Sequence, residues 1–310
     1  MKGAAISRRF CVCVPARNEA ARLPVLLEAL AGQTVTGRIP VALCINNSDD
    51  DSVGVATAVV ARHAGRLDVR VQDQVFPAAL AHAGSARGRA MAMGLELIQG
   101  KGVLIATDAD CRPPADWIAA NLAAIAAGAD IVGGRIELDD AEPIDPAIMA
   151  MRARLDQYWA AVRAIEDAID PSSNDPAPRH GDHTGASLAI DAVLYQAAGG
   201  VPPIPTGEDR ALVIAGVAAG GRLAHPTAVW TRVSARSEGR AADGMAAAMR
   251  TLAAVIEEGR EPHLPAFDHW RRRAAWRRAI RATNGAAAML AAEERLPPMP
   301  ADMPLSMVAA

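Results

Sequence analysis

Val103-Leu104-Ile105-Ala106-Thr107-Asp108-Ala109-Asp110 decides how this chain is read. Its first four residues form a short uncharged apolar run, the pattern of a strand buried on both faces. A strand covered on both sides belongs to a sheet with helices above and below, and such sheets are largely parallel. The run passes directly into two aspartates at i and i+2. In open parallel sheets, ligands bind beyond the carboxyl ends of the strands. Asp108 and Asp110 stand at such an end. Paired short-armed carboxylates suit Mg²⁺ or Mn²⁺, hard cations that share their coordination with substrate phosphates. The competing reading is a solvated turn, where aspartate is common.

Outward from this stretch, short apolar runs alternate with helical patterns. Residues 10–14 read as a strand closed by Pro15, and residues 17–30 as a helix carrying Leu23, Leu26, Leu27 and Leu30 on one face. Residues 41–45 and 67–71 read as strands, 52–63 and 87–98 as helices. Residues 117–127 read as a helix, and Ile131-Val132 opens a fifth strand. The alternation predicts an α/β fold, a mostly parallel sheet with helices on both faces. Two further strand ends carry polar clusters, Pro15-Ala16-Arg17-Asn18-Glu19 and Asn46-Asn47-Ser48. Ser48 with Asp51 matches a capping box for the next helix, and the cap is the favoured reading of that pair.

After Gly133-Gly134 the pattern changes. Residues 146–169 read as one long amphipathic helix, followed by a Pro/Ser/Asn/Asp-rich loop. His183-Thr184-Gly185-Ala186-Ser187 precedes a short apolar segment. A Gly/Pro turn then leads to Thr206-Gly207-Glu208-Asp209 at the start of another helix. A carboxylate there can take a proton from an acceptor hydroxyl. Thr206 and Asp209 also fit a capping box. From about residue 241 the chain is Ala-rich and helical, and the tail after Pro297 is expected to be poorly ordered.

Composition narrows the field. Of 310 residues, 51% are hydrophobic and 22% charged, which excludes a disordered chain. A formal net charge of -3 disfavours nucleic acid as a partner. Cys11, Cys13, Cys44 and Cys111 have no metal-ligand spacing, and free thiols fit a reducing, cytoplasmic setting. No transmembrane span is evident. The arginines of residues 271–281 spread around the helix. The reading is a solvated helix pairing with acids, with a weak membrane-surface contact as the minor alternative.

Taken together and in order over about residues 10–215, these segments resemble glycosyltransferase family 2, nucleotide-diphospho-sugar transferases of the GT-A fold. Val14-Pro15-Ala16-Arg17-Asn18-Glu19 looks like the family's opening nucleoside segment. Asn46-Asn47-Ser48-Asp49-Asp50-Asp51-Ser52 looks like its second nucleoside loop, with asparagines where many members carry an aspartate. Gly84-Ser85-Ala86-Arg87 is similar to the Gly-x-Ala-Arg segment before the donor-side helix. Asp108-Ala109-Asp110 fits the metal-binding Asp-x-Asp, Gly185-Ala186-Ser187 the acceptor-side segment, and Gly207-Glu208-Asp209 the Glu-Asp pair of inverting members.

The resemblance implies a metal-dependent transfer of one sugar to a hydroxyl acceptor of unknown identity, with inversion. The Gln-x-x-Arg-Trp segment of processive synthases is missing. Pro15, Ala16, Asn18, Glu19, Asn47, Arg87 and Asp108 would bind the nucleotide sugar, and Gly185 and Ala186 would line the acceptor side. Asp110 would be the metal ligand, helped by Asp108, with His225 as a candidate third ligand. Asp209 would be the general base, with Glu208 as its neighbour or stand-in. Arg236 and Arg240 would close over the diphosphate. On this view residues 8–135 form the nucleotide-sugar half, 136–240 the acceptor and catalytic half, and 241–310 a helical extension. The alternatives are a nucleotidyltransferase-like enzyme and a catalytically silent nucleotide-sugar-binding protein. The first expects a Gly-rich phosphate loop that residues 15–21 lack, and the retained acid pairs speak against the second.

Overall fold

The computed structural model of the chain describes residues 8–236 and 245–308. In chain order its strands are β1 (Phe10–Ala16), β2 (Ile39–Asn46), β3 (Leu67–Gln74), β4 (Val103–Ala106), β5 (Cys111–Arg112), β6 (Ile131–Gly133), β7 (Arg135–Leu138), β8 (Leu188–Asp191), β9 (Leu223–Ala224), β10 (Trp230–Val233), β11 (His263–Leu264) and β12 (Met303–Pro304). The helices are α1 (Leu23–Ala31), α2 (Ser52–Arg62), α3 (Ala83–Leu97), α4 (Trp117–Ala126), α5 (Pro146–Ile169), α6 (Ala192–Ala197), α7 (Glu208–Ala218), α8 (Met245–Glu257) and α9 (Phe267–Glu293). The chain divides into two units, Met1–Asp139 with Gly181–Ser234, and Asp140–His180 with Ala235–Ala310.

In the first unit a seven-stranded sheet has the order β3-β2-β1-β4-β8-β6-β9. β1 lies parallel between β2 and β4, with Val14 opposite Leu43 and Cys13 opposite Ala106. Their carboxyl ends therefore share one edge of the sheet, and all three polar clusters meet there. β8 runs against both β4 and β6, so the sheet is mostly and not wholly parallel. Val103, Leu104, Ile105 and Ala106 are fully buried, as the continuous apolar run requires. Cys11 and Cys13 point to one side of β1, into a cluster with Ala90, Met91, Met93 and Leu104. Gly94 of α3 packs against them, and a methyl there would run into the Cys13 sulfur. A second sheet, β5-β10-β7, adjoins the Asp108–Asp110 turn.

Some expected boundaries move, each for a local reason. The first helix begins at Leu23 and not at Arg17, because Asn18 takes the left-handed backbone conformation with φ 50°. The preceding residues are tied sideways: Asn18 N–H donates to Ser48 Oγ (2.9 Å) and Glu19 N–H to Ser52 Oγ (2.9 Å). Ser48 is thus spent on the neighbouring loop and does not cap α2. Asp50 takes the Ser52 N–H at 3.0 Å in its place. α3 starts at Ala83, earlier than the spacing suggested, because the His82 ring accepts the Ser85 N–H.

The second unit is helical around a small core. Tyr158, Val162, Met303 and Leu305 are buried, with Phe267 and Trp270 packed against them. Here the expectation of a poorly ordered tail is corrected. β12 pairs with β11, and Leu305 is fully buried against the α5 side chains. The few large apolar residues of the tail, Met303 and Leu305, are the ones that dock. The arginines of α9 pair with acids as expected: Arg277 with Glu293 and Glu166, Arg273 with Glu293, and Arg281 with Asp170.

Candidate active site

The loops after β1 and β2 are laced into one surface. Besides the Asn18 and Glu19 links, Asp49 N–H donates to Asn18 Oδ1 and Ala20 N–H to Asp50 Oδ2, each at 2.9 Å. Pro15 and Ala16 end β1 as buried residues, and Glu19 is buried beside them. Asn47 sits here too, but its side chain is not presented to a ligand. Its amide nitrogen donates to Phe76 O and its oxygen accepts from Phe76 N–H, both at 2.9 Å. These two bonds brace the loop against the segment after β3. Asn46, missed as a bracing group, donates to His82 O at 3.1 Å.

The two acidic motifs, about a hundred residues apart in sequence, meet through Arg87. This residue lies on the apolar face of α3, in line with Ala90, Met91 and Gly94, and is 4% exposed. Its Nη2 donates to Asp108 Oδ1 (2.8 Å), its Nε to Glu208 Oε1 (2.9 Å) and its Nη1 to Gly185 O (2.9 Å). Burial works against the charge, yet Asp108, then Glu208 and Asp209, outweigh it and hold the guanidinium above its ordinary pKa. All three kinds of guanidinium nitrogen are engaged with protein, so Arg87 ties three segments of the chain together. Gly185 has no room for a side chain, since a methyl there would fall on the guanidinium carbon.

Asp209 occupies the other side of the same loop. Its Oδ2 accepts the Gly185 N–H at 2.6 Å. The capping-box alternative does not form: α7 is capped by Gly207, whose backbone at φ 75° is the left-handed form that glycine tolerates. That turn sets Glu208 and Asp209 in the first helical turn with different surroundings. Glu208 is 5% exposed and paired with Arg87, its Oε1 accepting from Arg87 Nε at 2.9 Å. The approach of this segment to α3 is close: at Gly84 a methyl would strike the Ile204 carbonyl.

The Asp108 side chain is 35% exposed, against 6% for Glu208, so it reaches the open side of the turn. Among the described residues no three His, Cys, Asp or Glu side chains gather into a metal-holding group. Asp108 and Asp110 remain as hard oxygen donors, and this set fits a Mg²⁺ or Mn²⁺ ion that takes its other oxygens from phosphates and water. His225 does not complete a three-residue set. Its Nε2 faces His183 Nδ1 at 3.1 Å, and burial, then His225, push His183 below its ordinary pKa. Gly133 makes room for that pair.

The acceptor-side segment is pinned from beneath. Thr107 Oγ1 donates to Ala186 O and the Trp117 indole N–H to Ser187 Oγ, each at 2.9 Å. Sequence reading missed both; a threonine just before the paired aspartates was the available signal. Arg236 lies in the second unit, and Arg240 lies outside the described residues.

The family model described as glycosyl transferase family 2 matches residues 11–149. No curated protein matches the chain. Among solved structures, the mannosyltransferase PcManGT from Pyrobaculum calidifontis, in complex with GDP-Man and Mn²⁺, is similar with a TM-score of 0.53 and 19% identity, over 96% of this chain and 79% of that one. TarS 1-349 from S. aureus, in complex with UDP-GlcNAc, gives 0.52 and 14% identity, over 89% of this chain and 74% of that one. These likenesses establish the α/β GT-A fold expected from the sequence.

Proposed function

We propose, from the match of residues 11–149 to the glycosyl transferase family 2 model, that this chain is a glycosyltransferase that moves one sugar from a nucleotide-diphospho-sugar to an acceptor hydroxyl, with inversion. The observation that carries the reading is the meeting of Asp108 and Asp209 across Arg87 and Gly185. The donor lies over the carboxyl ends of β1, β2 and β4, against Pro15, Ala16 and the braced loops. Asp108 and Asp110 would hold a divalent cation, which would supply positive charge against the diphosphate leaving group.

Asp209 takes the proton from the acceptor hydroxyl as that oxygen attacks the anomeric carbon. The Gly185 N–H holds Oδ2 at 2.6 Å and the Arg210 N–H holds Oδ1 at 2.7 Å, so the carboxylate is fixed in place, and each oxygen keeps a further lone pair for the proton. A base held in this way needs little reorganisation during reaction. Gly185 and Ala186 line the acceptor side. No described helix is long and apolar enough to cross a membrane. Four buried cysteines without a disulfide suit a reducing compartment, and we place the reaction in the cytoplasm.

A thermal-shift screen of UDP-, GDP- and dTDP-sugars with and without Mn²⁺ tests class, metal and nucleobase together. The expected result is a rise in melting temperature for one nucleotide family, larger with Mn²⁺. No shift with any donor under either condition contradicts the reading.

A further inference from the structure

Arg87 touches both acidic motifs and the loop between them. We propose that it is a positioning residue for sugar transfer: by gripping Asp108, Glu208 and the Gly185 carbonyl at once, it fixes where Asp209 stands relative to the donor. This inference rests on the function proposed above.

Three features support it. First, two of the restraints on Asp209 run one bond back to Arg87, beside the local Arg210 N–H that its Oδ1 accepts at 2.7 Å. Its Oδ2 is held by the N–H of Gly185, whose carbonyl Arg87 holds, and its chain neighbour Glu208 pairs with Arg87 directly. Second, the donor end of the same guanidinium holds Asp108, so donor-side carboxylate and base share one rigid part. A planar fork with fixed donor directions can do this, and a lysine ammonium on a flexible stem cannot. Third, the sequence clears space for it. Gly185 lacks the Cβ that would displace the guanidinium, and α3 spends a position on its apolar face for a charge. A buried arginine with every nitrogen directed at a different segment of the site has a geometric task, not a ligand to bind.

The test uses the full chain and measures nucleoside diphosphate release from UDP-Glc, UDP-GlcNAc and GDP-Man with Mn²⁺. Arg87→Lys, Arg87→Ala and Gly185→Ala are compared with Asp209→Asn, and circular dichroism establishes which variants fold. Misplacing a reacting group by about 1 Å costs on the order of 100-fold. Arg87→Lys and Gly185→Ala should therefore lose ~100-fold in kcat while the KM for the donor changes by less than about fivefold, ~1 kcal/mol or less of uniform binding. Methylguanidine in the buffer should restore Arg87→Ala by at least about tenfold, a recovery of ~1.4 kcal/mol in the barrier, and leave Asp209→Asn unchanged. If Arg87→Ala does not fold, Arg87→Lys and Gly185→Ala decide the matter. Folded variants with kcat near that of the parent overturn the proposal, as does a loss confined to donor KM, which would make Arg87 a nucleotide ligand. Full turnover by Asp209→Asn, or none by the parent on all three donors, overturns the proposed function itself and the positioning role with it.

Discussion

Glu208 and Asp209 are neighbours in sequence, and their environments assign them opposite tasks. Glu208→Ala should mainly damage stability. Glu208 is 5% exposed and its Oε1 accepts from Arg87 Nε at 2.9 Å, while Arg87 itself is 4% exposed. Removing one partner of a buried ion pair costs about 3–5 kcal/mol, because the other charge is left uncompensated. Arg87 keeps Asp108 at 2.8 Å and the Gly185 carbonyl at 2.9 Å, which places the expected loss near the lower end, ~3 kcal/mol. Glu208→Gln retains an oxygen that can accept from Nε and loses only the charge assistance, so its cost should be about 1 kcal/mol. Urea unfolding followed by circular dichroism, with the slope checked for constancy, reads both values. Turnover should fall less in either variant than in Asp209→Asn. The reasoning is refuted if Glu208→Ala unfolds at the same urea concentration as the parent yet loses as much turnover as Asp209→Asn, because Glu208 would then be the base.

Four further outcomes are expected. Asp110→Ala should bind nucleotide sugar equally with and without Mn²⁺, read as the loss of the metal-dependent part of the thermal shift. Tyr158→Phe should cost roughly 2–4 kcal/mol by urea unfolding, since the Tyr158 hydroxyl donates to Pro265 O at 2.7 Å and accepts the Trp270 indole N–H at 2.6 Å. Deleting residues 298–310 removes the buried Leu305 and Met303 and should destabilise the second unit by ~3–6 kcal/mol, at about 1.5–3 for each side chain. Glu293 is raised by burial but brought below its ordinary 4.5 by Arg277 and then Arg273, so its stabilising contribution is complete above that value and is lost as pH falls through the lower folded value. Hydrogen exchange in α5 and α9 should accelerate on acidification below about 4.5, and Arg277→Gln should weaken that dependence.

The parts of the fold that read directly from sequence are those where one force acts alone. β4 occupies residues 103–106 as expected because an uninterrupted apolar run has nowhere to go but between two layers. α5 spans Pro146–Ile169 as expected because Asp145 caps it, Pro146 opens it and a clear apolar stripe continues through it. Reading failed where distant residues compete with local pattern. Residues 17–22 have helical spacing, yet Asn18 and Glu19 are claimed by Ser48 and Ser52 of another loop. The same competition removed the Ser48 cap and engaged the Asn47 side chain with Phe76.

At the site, the acidic residues could be singled out by their order along the chain, a paired-aspartate turn directly after a buried strand and a Glu-Asp pair at the start of a helix. Their division of labour was not. Glu208 and Asp209 differ in exposure only because Arg87 comes from α3, more than a hundred residues earlier. An arginine on an otherwise apolar helical stripe was the available signal. The tail was misjudged because two docking side chains, Met303 and Leu305, make too short a pattern to register against their proline-rich surroundings.

The base assignment for Asp209 is tested most directly by paired measurements on Asp209→Asn: donor affinity by calorimetry and nucleoside diphosphate release at saturating donor. Removing a positioned general base costs about 10²–10⁴-fold, so turnover should fall within that range while affinity stays near the parent value. Turnover equal to the parent, at equal affinity, contradicts the account.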